Sequence, residues 1–435
     1  MSEMAAPSPY VRGELVPERS APVKTSGLIG FLRTRLLNSP TNIVLTLLGL
    51  LLLWFTVVPA LKFLLLDAVW TGTDRDACLA DKVGHPVGAC WPYIGAKFSQ
   101  LMFGFYPQAE RWRVNLTYFL AAVLLVPLLM PRLPAKGLNA ALFFVAFPIL
   151  AYFLLHGGGL GGPAACWITA AIIAITVFLL SGGLRGERRA LVAGLATFAG
   201  IGFLIVALGL DRGGLPVVGT RDWGGLLITL VASVIGIVTA IPIDIALALG
   251  RRSTIPLIRI FSIAFIEFWR GVPLITVLFF ATYMLPLFLP ADVAIDGLVR
   301  ALIGIALFMG AYTAEVLRGG LQAIPRGQEE AASALGLSWA RTTFLIVLPQ
   351  AFRHVIPGLV NECIALFKDT SLVSIVAIFD LLGALQASFS DPVWATPTTL
   401  FTGFAFTGMI YFVFCFGMSR YSLFVENRLN AHRRT

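Results

Sequence analysis

Ionisable side chains are few in the apolar second half of the sequence, and two groups of them stand out: Glu267 with Arg270, and Glu362 with Lys368 and Asp369. A charged group in hydrocarbon costs free energy unless it faces protein or water, so each marks either a solute path or a contact that locks helices together. Lys368 and Asp369 lie near the middle of the apolar run Val355–Leu385. Adjacent helix positions point about 100° apart, so these two do not pair on one face. Asn361 shares a face with Lys368, and Glu362 with Asp369, because seven residues make roughly two turns. One of these two polar faces could border a passage; the other reading is that they pair with neighbouring spans. Glu267 and Arg270 are three apart and can form an ion pair on one helical face. Pro273 has no N–H for the carbonyl of Trp269, and Gly271 loosens the preceding turn, so a helix breaks or kinks here. Broken helices inside membranes are tolerated where they are buried or line a cavity. The break either borders a path or stabilises the fold.

Catalytic chemistry has no such support. No Ser/His/Asp order and no paired carboxylates with a defined cleft emerge, so no catalytic residue is assigned. No GxxxxGK[ST] phosphate loop is present, and the glycine-rich turn Gly157–Gly162 is followed by neither Lys nor Ser/Thr in that order. His354 reads as an interfacial residue, His85 and His156 sit isolated in outer turns, and His432 lies in the tail; none has a second ligand at metal spacing. The chain is expected to bind no metal and no cofactor of its own. Any ATP hydrolysis must come from another polypeptide.

The elements that position these groups centre on a polar insert, Arg318–Arg353, caught between apolar runs that end near Val316 and resume at Val355. It must lie at a membrane surface, and Arg318, Arg326, Arg341 and Arg353 put that surface on the cytoplasmic side. It reads as two short helices: Pro325 suits a first helical turn, Gln328–Leu335 a compact helix, Gly336 a left-handed end, and Ser338 the cap of the next helix. Ala331, Ala332 and Ala334 keep the first helix slim enough for another surface to approach closely. This is the pattern of a docking peg.

These residues carry a specific resemblance. Glu330-Ala331-Ala332-x-x-x-Gly336, followed by Leu348-Pro349 and Pro357, is similar to the coupling (EAA) loop of ABC-importer membrane subunits. The words LGL, LPQAFR, IPG and FKDTSLVS, with F-x-R-G-x-P-L at Phe268–Leu274, narrow it to amino-acid permeases of the His, Gln and general L-amino-acid type. The resemblance covers roughly Gly214 to Arg420. It implies a type I importer core in which Glu330, Ala331, Ala332, Leu335 and Gly336 engage a cleft of a cytoplasmic ATPase. The segment Lys368-Asp369-Thr370-Ser371, with Glu362, Glu267 and Arg270, would border the substrate path, where groups of both signs suit a zwitterionic amino acid.

Composition agrees with a membrane setting. Of 435 residues, 58% are hydrophobic and 13% charged, and the mean hydropathy is +0.86, far above the apolar share of soluble domains. The net charge of +9 is spread over tails and short loops, as the positive-inside rule produces, with no basic face for nucleic acid. Residues 1–40 read as a disordered cytoplasmic tail rather than a cleavable signal, and Ile43–Leu66 as a first span. Residues 67–113 form an exported mixed loop. Its Cys78 and Cys90 can form a disulfide in an oxidising compartment, although spacing does not fix the geometry. Cys166, Cys363 and Cys415 read as small packing residues. Further spans are Val114–Met130, Leu138–Leu155, Ala164–Leu180 and Ala190–Leu210, with basic turns at Arg132 and Lys136 and at Leu184–Arg189. Then follow Leu226–Leu249, Ile260–Leu289, Leu298–Val316, Val355–Leu385 and Leu400–Met418. Each approaches the ~20 residues needed to cross hydrocarbon.

The expected fold is therefore all-α and transmembrane, with about ten spans. A five-span extension occupies 41–213, the permease core 214–421, and a cytoplasmic tail 422–435. The resemblance implies a permease subunit of an ATP-driven amino-acid importer in the bacterial inner membrane, with both termini cytoplasmic. Its partners would be a homologous smaller permease subunit, a cytoplasmic ABC ATPase dimer carrying ATP and Mg, and a periplasmic amino-acid-binding protein. The competing readings are an ion-coupled secondary transporter, with Lys368, Asp369 and Glu362 as the ion site, and a membrane sensor or scaffold. A secondary transporter often shows two similar halves, which are not visible here.

Overall fold

The computed structural model describes residues 27–130, 133, 135–159, 161–290 and 292–430. Residues 1–26 of the expected tail, Arg132, His432 and the terminal arginines lie outside them. Among the described residues the regular structure is helical, with only isolated bridges between extended segments.

The chain divides into two compact units. The smaller comprises the chain up to Ala68 together with His85–Ala89. Its main element is α1, Pro40–Leu66, with none of its span buried, as suits a helix bathed in lipid or covered by another subunit. Ser39 caps it by accepting the Asn42 N–H at 3.2 Å. Helical turns at Gly27–Phe31 and Leu32–Leu36 precede it, within the stretch expected as a tail.

The larger unit, Val69–Gly84 and Cys90–Thr435, holds everything else. The segment 67–113 is more structured than an exported loop. Within it α2, Trp91–Phe103, packs on residues of the C-terminal half. Tyr93 and Ser388 hydroxyls lie 2.5 Å apart, Lys97 bonds Asp391, and the Cys90 N–H donates to Thr402 Oγ1 at 3.0 Å. Cys78 and Cys90 form a disulfide with Cα atoms 5.8 Å apart. The spans α3 (Gln108–Leu129), α4 (Lys136–His156), α5 (Pro163–Ser181) and α6 (Arg188–Ala207) follow.

The C-terminal core begins with α7, Leu226–Arg251. Next come α8, Pro256–Gly271, and α9, Leu274–Phe288, which are bent by 101° at the Gly271–Pro273 break. The expected single outward span Ile260–Leu289 is thus two limbs. Among the described residues nine helices are long and apolar enough to cross a membrane, or ten if this bent pair counts as one span. The core continues with α10 (Gly297–Gln322) and the short α11 (Gly327–Ala334). Then come α12 (Trp339–Val376), α13 (Leu381–Ser388) and α14 (Thr399–Asn430).

Here the expected span Val355–Leu385 is corrected. The helix starts earlier, inside the polar insert, and ends at Val376, where Ala377 turns left-handed at φ 58°. Asp380 then caps α13 by accepting the N–H groups of Gly383 at 2.9 Å and Leu382 at 3.2 Å. An apolar run hides such a break because hydropathy does not register a capping carboxylate.

In lipid there is little hydrophobic force between helices, so close packing through small residues holds the core. A Cβ on Gly310 of α10 would stand 2.6 Å from Ile243 Cγ2 of α7, and one on Gly236 of α7 would stand 2.8 Å from Ile305 Cγ2 of α10. Glycine at these positions lets the two backbones approach.

Candidate functional site

The short helix α11 is built for display. Glu329 and Glu330 occupy its first turn, where carboxylates complement the helix dipole. Its end is a Schellman turn: Gly336 sits at φ 72°, the Leu337 N–H reaches Ala332 O at 3.1 Å, and the Gly336 N–H reaches Ser333 O at 3.0 Å. One side is anchored. Ala332 is buried, Glu329 Oε1 accepts from Arg252 Nη2 at 2.9 Å, and Gln328 Oε1 accepts from Gln350 Nε2 at 3.1 Å. The opposite side is bare: Glu330, Ala331 and Gly336 are exposed, Leu335 is 79% exposed, and nearby Trp339 is 70% exposed.

Several local expectations change. Pro325 precedes Arg326, the residue at the N-terminal cap of α11, so it stands outside the first turn. Ser338 takes the cap position of the next helix but its side chain makes no capping bond. That next helix is not short, since it runs unbroken into the span α12. Beneath α11 a cavity of about 760 Å³ opens between Arg252, Ser253, Glu329, Ser333 and Trp339.

Above the peg lies an ion network. Arg251 Nη1 reaches Glu267 Oε1 at 3.2 Å and Glu315 Oε2 at 3.1 Å. Arg318 grips Glu315 with both nitrogens, Nε at 2.9 Å and Nη2 at 2.5 Å, the fork geometry that suits guanidinium and carboxylate. The expected Glu267–Arg270 pair does not form. Glu267 turns to Arg251 on α7, while Arg270 lies 5.7 Å over the Tyr312 ring and its carbonyl accepts the Tyr312 hydroxyl at 3.4 Å. Packing of α7, α8 and α10 brings Arg251 within reach of both Glu267 and Glu315, and this three-helix network takes the place of the i,i+3 contact, leaving Arg270 to the Tyr312 ring.

Of the residues of the expected path, Glu362, Lys368, Asp369, Thr370 and Ser371 sit on α12, and Glu267 and Arg270 on α8. Lys368 and Asn361 are exposed together, and Glu362 and Asp369 are half-buried together, as the seven-residue spacing requires. Glu362 lies within electrostatic range of Arg270 on α8 and of Asp369 on its own helix. Thr370 is buried, its hydroxyl donating to Phe367 O at 2.8 Å, and the carbonyl of half-buried Ser371 accepts from Ser374 at 2.8 Å. Glu267, also expected on the path, bonds Arg251 in the ion network.

Three polar positions escaped the sequence reading. Asp244 on α7 is 2% exposed, with one carboxylate oxygen lacking a hydrogen bond among the described residues. Asp380 accepts the Tyr411 hydroxyl at 3.2 Å, and the neighbouring Leu381 N–H donates to Thr229 Oγ1 at 3.0 Å. Arg113 is fully buried between Glu110, at 3.0 Å, and the Pro216 carbonyl, at 3.0 Å. Asp244 and Asp380 stand as lone carboxylates inside apolar runs, which is a signal in itself.

A bent, glycine-packed bundle with clustered intramembrane charges and a helix displayed at one end defines a multi-span transport subunit. Residues 232–431 match the family described as binding-protein-dependent transport system inner membrane component. The chain is 41% identical over 417 residues to the inner membrane amino-acid ABC transporter permease protein YhdY of Escherichia coli K12, covering 96% of this chain and 97% of that protein. It is 38% identical over 444 residues to the glutamate/glutamine/aspartate/asparagine transport system permease protein BztC of Rhodobacter capsulatus, covering 98% and 99%. A solved amino acid ABC transporter structure is 29% identical over 47% of this chain and 92% of its own, with TM-score 0.42. The chain belongs to the family of amino-acid ABC transporter permeases. The family supports a permease of an ATP-driven importer over an ion-coupled secondary transporter.

Proposed function

We propose that this permease carries L-amino acids through a path bordered by Lys368, Asp369, Thr370, Ser371, Glu362 and Arg270. In this reading it pairs with a smaller homologous permease, receives solute from a periplasmic binding protein, and rests on two ATPase subunits that hold ATP and Mg. The chain itself binds no nucleotide. Both of its termini face the cytoplasm.

The observation that carries the proposal is the asymmetry of α11, anchored through Ala332 and Glu329 while Glu330, Ala331 and Leu335 stay bare. Closure of the ATPases pushes on this bare face. Because α11 joins directly to α10 and α12, the push passes along both helices to the charged stretch around Lys368–Ser371, and access switches from one side to the other. Glu267 has its place in the network at the base of the broken helix, where it would hold α8 during the motion.

Uptake by sealed vesicles containing the assembled complex tests the reading. ATP together with binding protein should drive accumulation of a labelled L-amino acid, and an ion gradient without ATP should not. Accumulation on an ion gradient alone, or none under either condition, would overturn it.

A further inference from the structure

An apolar cleft lies among α3, α4, α5 and α6, outside the permease core. It holds about 430 Å³ and is walled by Leu124, Leu142, Phe153, Ile173, Ala193 and Leu204, with almost no polar surface. Along α6 its lining runs from Ala193 to Ile205, twelve residue steps or about 18 Å of helix rise. One leaflet of hydrocarbon is about 15 Å deep. The cleft therefore has the depth of one acyl chain standing in one leaflet.

The N-terminal end of α6, one turn before the first lining residue of that helix, is charged. Arg189, Ala193, Ala196 and Gly200 fall at i, i+4, i+7 and i+11, a single face of α6, and the last three of them line the cleft. Arg188 and Arg189 are exposed at the start of that helix and make no ion pair among the described residues. The turn 184–189 carries three arginines against one glutamate. Arginine is suited to phosphate, which its planar fork can grip in two places.

We propose that this cleft is a binding site for a phospholipid with an anionic headgroup, its acyl chain between α3, α4, α5 and α6 and its phosphate on Arg188 and Arg189. The apolar wall selects the chain and the arginines select the headgroup. A zwitterionic phospholipid would fill the wall but gain less at the arginines.

The test uses the full-length chain in its assembled complex, incubated with phosphatidylcholine vesicles containing phosphatidylglycerol, then extracted in mild detergent and read by native mass spectrometry. Wild-type protein should retain about one phosphatidylglycerol per chain in preference to phosphatidylcholine. R188Q/R189Q should lose that preference by roughly 25-fold, about fivefold for each arginine near the surface. Both arginines are exposed, so the variant keeps its fold. Ala196→Phe, which fills the wall, should remove the retained lipid of either headgroup while the complex still elutes intact. Equal retention of the two lipids by wild type, or unchanged preference in R188Q/R189Q, overturns the headgroup site. Full occupancy in an intact Ala196→Phe complex overturns the cleft.

Discussion

Arg252 at the end of α7 stands 2.9 Å from Glu329 of α11, so the displayed helix is tied by charge to the first helix of the core. Both side chains are partly exposed, and such a pair is worth under about 1 kcal/mol of stability. Its value lies in orientation. Arg252→Glu should leave the melting temperature of the complex nearly unchanged and lower ATP-driven uptake, and the swap Arg252→Glu with Glu329→Arg should restore it. Added salt should partly restore uptake by the single variant, because it screens the repulsion between the new carboxylate and Glu329. A double swap no better than the single change would show that the pair does not orient α11.

Gly336 ends α11 at φ 72° with open space around the position of a Cβ. The demand is therefore on the backbone and not on room. A β-branched residue there costs about 1–2 kcal/mol, whereas asparagine tolerates the conformation. Gly336→Val should reduce both co-purification of the ATPase and uptake, and Gly336→Asn should stay close to wild type. If Gly336→Val matches wild type in both measurements, the Schellman turn is not needed to present the helix.

Asp369 is half-buried on α12 and shares its face with Glu362. Asp369→Asn keeps the shape and removes the charge. Uptake should fall about tenfold, the effect of ~1.4 kcal/mol, with assembly intact. The opposite pattern, full uptake with a lowered melting temperature, would assign Asp369 to locking the bundle.

Lys97 of α2 holds the Asp391 carboxyl below the usual carboxylate range, with the Val393 N–H adding to the effect. A depressed carboxylate contributes stability above its unfolded value of about 4, and that contribution is lost as pH falls through the lower folded value. Melting curves of wild type and Lys97→Met should therefore be separated at pH 7 and converge as the pH drops below about 4. A separation that stays constant down to pH 3 would mean that Lys97 acts through packing.

The helical character, the membrane setting and the short helix α11 with its glycine stop were legible because each rests on local pattern. Long apolar runs can satisfy their backbone in lipid only as helices. The alanines and Gly336 are a helix and its stop signal within ten residues of one another. The break at Gly271–Pro273 was legible for the same reason, since a missing N–H is a covalent fact, but its 101° angle was not. How far a break bends depends on what the two limbs pack against.

Pairings behaved differently. Spacing placed Glu267 and Arg270 on one face, yet Glu267 bonds Arg251, sixteen residues away on another helix. The cap at Asp380 was hidden in an apolar run, and the packing of α2 on Ser388, Asp391 and Thr402 joins residues about three hundred positions apart. Chain chemistry within a few turns dictates which stretches are helical and where they stop. Which charge meets which is settled when helices distant in sequence pack together, because that packing decides which side chains come within reach, and no spacing along one helix encodes it.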